Sequence, residues 1–534
     1  MKSPQFNSFS PTFIVSLALL FMLVSCRTNR KTGVENMDKE MAEIVNSIDS
    51  PKIPVRVIDL CKFSGHKADE SGSYDFYNDI QKAIDTLSAK GGGTLLFSHS
   101  EGSEAWIKQT EVFRVKGPII LKSNIELRFN PSVRLSFEFS PLAYLPDHKP
   151  VLRRYEGTTL YSFSPLIYAF NAENIAITFT GGNGAMPVID GNGERWQKWS
   201  YQGDLRVEKK GMIPAYKAIQ TEFNEKDLPI SKRICADTGY HFLRPTMIEF
   251  IHCKKVKIDG VKLVNSPFWV IHPVFTRDMI VRNVMFDSQV VNNDGIDPES
   301  SSNILIENII FDNHDDNIAI KAGRNREGRL GALVLGSEFE KINSPFVKEG
   351  RIKASTNRVV VRNCIFKGHY AFCIGSEISS GANHIYVTDC SAPMSVNMGV
   401  FLKGSRKRGG IIDHIFIRNL NFTKVEKEAV CIIANYDKDT ISLFPTVFKD
   451  IYIENIYVKN AGFGIKVFGW YDAPVENLQI NNLIIDQVKG TSQDDQFLMN
   501  QIKNGFLKNV RINKKSNDGH FNKREKNVYP PYKG

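Results

Sequence analysis

Side chains able to move protons gather in four short segments that interrupt an otherwise apolar, strand-forming region. The first is Asn292-Asn293-Asp294-Gly295-Ile296-Asp297. The second is His314-Asp315-Asp316-Asn317, immediately before Ile318-Ala319-Ile320-Lys321. The third is Gly368-His369-Tyr370 with Gly375-Ser376-Glu377, and the fourth runs from Lys403 to Gly410 as KGSRKRGG. Carboxyl groups on facing sides of a cleft can divide the work of acetal hydrolysis. One protonates a leaving oxygen while another activates water, and inversion needs about 6.5 to 9.5 Å between them. Three crowded carboxylates also repel one another, which raises the pKa of at least one and supplies the acid. A lone Asp-Asp pair is compatible with a solvated turn; four such segments in order are not.

These residues need a scaffold that stacks them, and the sequence describes one. Alternating apolar positions with Gly, Asn or Asp in fifth place recur as VKIDGVKL (Val256 to Leu263), MIVRNVMF (from Met279), ILIENIIF (from Ile304) and VVVRNCIF (from Val359). They continue as IYVTDCSA (from Ile385), IFIRNLNF (from Ile415), IYIENIYV (from Ile451) and LQINNLII (from Leu478). The unit is about 25 residues, with one large insertion between Ala322 and Arg358, and period-two alternation means strands. A strand unit that cannot bury its apolar face alone must stack on copies of itself. The expected fold is all-β, a right-handed parallel β-helix, in which equivalent side chains of adjacent coils lie about 4.8 Å apart. The fifth-place residues suit a left-handed corner. Phe76 to Ala89 has helical periodicity in Ile80, Ala83, Ile84 and Leu87, stops at Gly91-Gly92-Gly93, and is expected to cap the open N-terminal end of the stack.

In this order and separation, NNDGID, HDDNIAIKAGR, GHY with GSE, and a Lys shortly before RGG resemble glycoside hydrolase family 28, the polygalacturonase and rhamnogalacturonase family. The resemblance begins near Pro51, includes SPLIYAFNAENIAI (from Ser164) and SPFWVIHP (from Ser266), and extends to about Gly410. It implies an inverting hydrolase of pectic polysaccharide without metal or organic cofactor. By motif, Asp315 is the expected general acid, Asp294 and Asp316 hold and deprotonate the water, and His369 tunes the acid. Lys403 is expected to bind a substrate carboxylate or hydroxyl. Asn292, Asp297 and His272 complete the substrate-side set, although Asp297 also suits a turn cap and His272, like Phe268 and Trp269, an interior position.

Two departures bear on the substrate. Relatives acting on galacturonan carry Arg-Ile-Lys where this chain has Phe401-Leu402-Lys403, so an apolar ring replaces a guanidinium that pairs with uronate. A literal Arg351-Ile352-Lys353 precedes the Gly-His motif inside the insertion and reads as a decoy. The insertion itself is expected to wall one end of the cleft and favour exo action, and Arg406, Lys407 and Arg408 offer other cations. Competing readings are a β-helix polysaccharide lyase and a non-catalytic carbohydrate-binding solenoid.

The rest of the chain sets location. Lys2 and the apolar run Phe13 to Val24 form an export signal ending in Leu-Val-Ser-Cys, which resembles a lipobox with Cys26 as the lipidated residue. Expected boundaries are 1–26 signal peptide, 27–50 tether, 51–513 β-helix and 514–534 loose basic tail. The chain is therefore expected to be a monomeric lipoprotein of the outer membrane or periplasm of a Gram-negative bacterium, touching membrane only through its lipid. A net charge of +10 fits a polyanionic partner, here pectic oligo- or polysaccharide and not nucleic acid. The seven later cysteines show no zinc spacing and read as buried thiols, with Cys364 and Cys390 placed to face each other.

Overall fold

The computed structural model describes residues 37–99, 110–182, 184–202, 223–224, 226, 228–236, 243–330, 354–489 and 496–524. Cys26, the leader and Arg351-Ile352-Lys353 lie outside the described residues. Two compact units divide at residues 47 and 48. In the first, residues 37–47 are helical, where a tether without structure was expected. The sequence Met37-Asp38-Lys39-Glu40-Met41 is rich in helix formers, and Lys39 and Glu43 form an i,i+4 ion pair at 3.7 Å.

The second unit is a right-handed parallel β-helix. The repeated apolar positions stack in register: Ile125 pairs with Ile175, and the column continues through Val256, Met279, Ile304, Val359, Ile385, Ile415, Ile451 and Leu478. From Val256 onward these are the first residues of the eight repeats, so the sequence period is the coil period. The fifth-place residues turn corners with left-handed φ, as at Asn283 (53°), Asn308 (55°), Asn363 (54°), Asn419 (54°) and Asn455 (54°). Their amides also bond along the stack: Asn455 Nδ2 donates to Asn419 Oδ1 at 3.2 Å, Asn482 to Asn455 at 2.8 Å and Asn509 to Asn482 at 2.8 Å. Each corner thus satisfies a polar amide with the copy below it.

Inside the coils, Phe286, Phe311 and Phe366 form a column with ring centroids 4.9 and 5.8 Å apart. Cys364, Cys373, Cys390 and Cys431 are buried free thiols, and Cys364 N lies 3.4 Å from Cys390 Sγ. The N-terminal end is closed by the helix Tyr77–Ala89, whose Ile80, Ala83, Ile84 and Leu87 are buried as the periodicity requires. The C-terminal end differs from expectation, because part of the basic tail is ordered. Lys515–Ser516 and Gly519–Phe521 fold back antiparallel onto Arg511–Ile512 and Gly505–Lys508. A parallel stack ends in unpaired backbone groups, and a reversed chain satisfies them without starting another coil.

A second column carries the site. Ile271 bridges to Ile296 and Ile296 to Ile318; Ile318 pairs with Phe372, Phe372 with Val400 and Val400 with Val430. The polar segments flank this column in successive coils. Phe311, the middle ring of the phenylalanine stack, is fully buried; Phe311→Ala is expected to lower unfolding stability by about 3 to 5 kcal/mol, measured by denaturant titration, and a loss below about 1 kcal/mol would contradict the packing described.

Candidate active site

Successive coils deliver the carboxyl groups side by side. Gly295 N donates to Asp316 O at 2.8 Å and Asn317 N to Tyr370 O at 2.8 Å, so Asp294, the Asp315–Asp316 pair and the His369–Tyr370 pair occupy three adjoining levels. The tight fit explains the glycine before His369. Gly368 has φ of 85°, and a Cβ there would meet Asn313 O at 2.1 Å.

A cavity of about 690 Å³ opens over these levels, lined by Asn292, Asp294, Asp315, Asp316, Lys321 and Lys403 among others. Each of two buried carboxylates holds its own lysine. Lys403 Nζ bonds Asp316 Oδ2 at 2.7 Å. Lys321 Nζ reaches Asp294 Oδ2 at 3.3 Å, Glu377 Oε2 at 3.2 Å and Asp297 Oδ1 at 3.9 Å. Among the described residues Asp315 has no such lysine contact; it faces His369 Nδ1 at 3.6 Å, and its side chain keeps 25% of its exposure against 6% for Asp294 and 2% for Asp316. Asp315 is therefore the carboxyl of the three that faces the open cleft most.

The electrostatics follow from burial. Asp294 is pushed well above the usual carboxylate range by desolvation, and the charges of Asp315 and Asp316 add to it against the pull of Lys321. Asp297 moves the same way, from desolvation and then from Asp294; both its oxygens are buried without a hydrogen bond. Burial also raises Asp315, but the facing His369 and the ammonium of Lys403 more than offset it, leaving this carboxyl below its ordinary value. Burial first and the neighbouring carboxylates second thus favour the neutral form of Asp294, whereas Asp315 is drawn toward its ionised form. Burial disfavours the ammonium of Lys321, yet Glu377, Asp294 and Asp297 hold it firmly charged. Glu377 is held far below its usual range by Lys321, Arg324 and Arg408 despite its burial.

The structure brings together Asp294, Asp315, Asp316, Lys403 and Asn292 in one cavity, with His369 beside Asp315. Two expected substrate contacts are corrected. His272 is fully buried, bonding Glu299 Oε2 at 3.0 Å and facing Glu249 Oε2 at 3.5 Å, so it belongs to the wall behind the site. Asp297 is fully buried beneath Asp294 and Lys321 and does not line the cavity. Both are buried because charged neighbours cover them, Glu249 and Glu299 around His272 and Lys321 over Asp297, which motif position alone does not reveal. Trp269 does line the cavity, under Lys321 Nζ at 4.6 Å, whereas Phe268 is interior.

Sequence reasoning passed over Lys321, Glu377 and Arg324 as site residues, although all lie in the quoted motifs. The signal was available: a lysine and a glutamate ending apolar strand segments cannot be buried without partners. Behind them, Arg154 Nε donates to Glu299 Oε1 at 2.6 Å and its Nη1 to Glu327 Oε1 at 2.6 Å, while Arg233 Nη1 donates to Glu327 Oε2. Glu327 belongs to the short helix Asn325–Leu330 that starts the insertion. This buried network pins that helix, and with it Arg324, Asn325 and Arg329, onto the cavity wall. The rest of the expected wall, 331–353, lies outside the described residues.

The comparisons agree with the geometry. The model for glycosyl hydrolases family 28 matches residues 234–497. A probable polygalacturonase of Vitis vinifera is 24% identical over 60% of this chain and 55% of its own length. An exo-poly-alpha-D-galacturonosidase of Dickeya chrysanthemi is 23% identical over 51% of this chain and 44% of its own. The chain thus spans about half the length of these curated relatives. The crystal structure of a hyperthermoactive exopolygalacturonase from Thermotoga maritima superposes with a TM-score of 0.75 at 29% identity, covering 91% of this chain and 99% of that one.

The buried groups set opposing trends with pH. Asp294, Asp297 and His272 are raised, so their contribution is present in acid and lost as pH climbs from their unfolded values, 3.8 and 6.5, through their folded ones. Glu249, Glu299 and Glu377 are lowered, so theirs is present above the unfolded value of 4.5 and lost as pH falls. Thermal stability is expected to peak on the acid side of neutrality. Asp297→Asn should flatten the decline between that peak and pH 8; scanning calorimetry across pH checks both, and an unchanged decline would contradict the burial account. Separately, Lys403→Met leaves Asp316 buried without its cation and should cost about 3 to 5 kcal/mol in chemical denaturation; a cost under about 1 kcal/mol would contradict the pairing.

Proposed function

The chain belongs to glycosyl hydrolases family 28, and from that membership we propose that it hydrolyses α-glycosidic bonds of pectic polysaccharide with inversion of configuration. The observation that carries the proposal is the meeting of Asp294, Asp315 and Asp316 in one cavity, with a lysine on two of them and an imidazole beside the third. A calcium-dependent lyase would also gather carboxyls, but here Lys321 and Lys403 already neutralise two of the three, and a binding solenoid needs none of them.

In the proposed reaction the glycosidic oxygen lies against Asp315, the most accessible of the three, and Asp315 delivers the proton. Burial raises Asp294, so the neutral form is favoured within the trio. A bound sugar displaces water from Asp315 and buries it further, which favours its protonated form and lets the interacting trio pass a proton to it. Asp294, once ionised beside Lys321, and Asp316, held by Lys403, then orient the water and accept its proton. The likeness over 91% of the chain to an exopolygalacturonase, and the anchored helix Asn325–Leu330 at the cavity wall, support release of sugars from a chain end. The export signal and Cys26 support a lipid-anchored protein of the Gram-negative outer membrane or periplasm.

The test is reducing-end release from polygalacturonan and rhamnogalacturonan oligomers. Asp315→Asn is expected to fall about 10²- to 10⁴-fold on these, yet to keep much more activity on a glycoside whose leaving group needs no proton. Asp316→Asn should lose both. Equal rates from the wild type and Asp315→Asn would refute the assignment, and an ultraviolet-absorbing unsaturated product would replace it with the lyase.

A further inference from the structure

Two cations that the motifs suggest for an acidic sugar, Lys403 and Arg406, are already committed elsewhere. Lys403 Nζ is bonded to Asp316 at 2.7 Å and enclosed by the rings of Phe401, Tyr370 and Tyr436 at 5.3, 5.5 and 5.6 Å. Phe401 is 3% exposed and stacks in the column of Cys373 and Cys431, so the ring at this position encloses the lysine instead of meeting substrate. Arg406 points out of the site into a two-armed pair with Asp472, both bonds 2.8 Å.

Arg408 is differently placed. It lines the cavity with Arg324, Glu377 and Ser376 and is 6% exposed. Its Nε donates to Ser376 O at 2.9 Å and its Nη1 to Asn325 Oδ1, which fix the plane of the guanidinium. Its Nη2 has Glu377 Oε1 at 3.8 Å, beyond hydrogen-bond reach. Glu377 is already shared between Lys321 at 3.2 Å and Arg324 at 3.0 Å. Three buried cations therefore converge on one carboxylate. Arg324 also holds Glu156 at 2.8 Å, whereas among the described residues Arg408 has only Glu377, at 3.8 Å, within ion-pair distance. A buried guanidinium so weakly paired is costly, and burial and the charge of Arg324 lower the pKa of Arg408 to about 10. An anion entering the cavity reduces that cost. Because Glu377 touches Lys321, and Lys321 holds Asp294, this guanidinium stands in the same cavity as the acids.

We propose that Arg408, oriented by Ser376 and Asn325 and backed by Arg324, is the specificity-determining residue that binds the carboxylate of an anionic sugar in this cleft. Lys403 acts instead as a positioning residue for Asp316. The inference rests on the glycosidase reading. Its chemistry requires a planar donor on a uronate carboxylate, a role that a methyl ester of the same sugar fills poorly.

The experiment compares kcat/KM on matched galacturonan oligomers, free acid against methyl ester, for wild type, Arg408→Gln and Arg408→Lys. Expected is a wild-type preference for the acid that collapses by about tenfold or more in Arg408→Gln, mostly through KM. Arg408→Lys, which keeps charge without the fork, should retain part of it. Equal losses on both substrates would mean that Arg408 only joins its loop to the helix Asn325–Leu330, and would overturn the proposal. If Arg408→Gln does not fold, Arg408→Lys and calorimetric titration of wild type with galacturonate and with galactose still decide it: equal affinity for the two sugars overturns it. If the wild type turns over neither oligomer, the functional reading fails first, and the same titration judges the anion site independently.

Discussion

Burial of like charges on neighbouring coils is the constraint around which this protein is arranged. A parallel β-helix places equivalent side chains about one strand spacing apart, roughly 4.8 Å, and three of those side chains here are carboxylates. Such an arrangement is tolerable only if cations are buried with them or protons are retained. Both occur. Lys403 serves Asp316, Lys321 serves Asp294, Asp297 and Glu377, burial pushes Asp294 and Asp297 toward their neutral forms, and Glu377 ties Lys321 to the arginines behind it.

The same constraint explains the unusual charge density of the wall. Arg153, Arg154, Arg233, Glu249, His272, Glu299 and Glu327 are all nearly or fully buried, yet they pair with one another. Apolar residues would fill that volume at least as stably. What ions provide is direction: Arg154 can reach Glu299 and Glu327 together only if the helix Asn325–Leu330 lies against the coils. The network thereby locates the part of the cavity where Arg324 and Arg329 stand.

Replacement of an expected arginine by Phe401 becomes intelligible in the same terms. An aromatic ring beside Lys403 gives the ammonium a weakly polar enclosure, together with Tyr370 and Tyr436. The lysine is then held on Asp316, and under the proposal made for Arg408, recognition of an acidic sugar falls to a cation five residues further along the same segment. Motif position and chemical role have separated, although the backbone has not.

The coil period, the corner residues, the helix Tyr77–Ala89 and the acidic residues of the cavity are legible along the chain, because each is a local pattern: alternation, a residue tolerant of left-handed φ, or a short motif beside a strand. Which polar residues face the cleft is not legible there. His272 and Asp297 lie in or beside the motifs yet are fully buried, because Glu249 and Glu299 enclose the first and Lys321 lies over the second. Nor did the sequence reveal that burial raises Asp294, that Lys321 and Glu377 bridge the site, or that the tail from Lys515 reverses to close the stack. Those are consequences of which charges become neighbours and which edge is left unpaired, and only the tertiary structure brings such distant segments together.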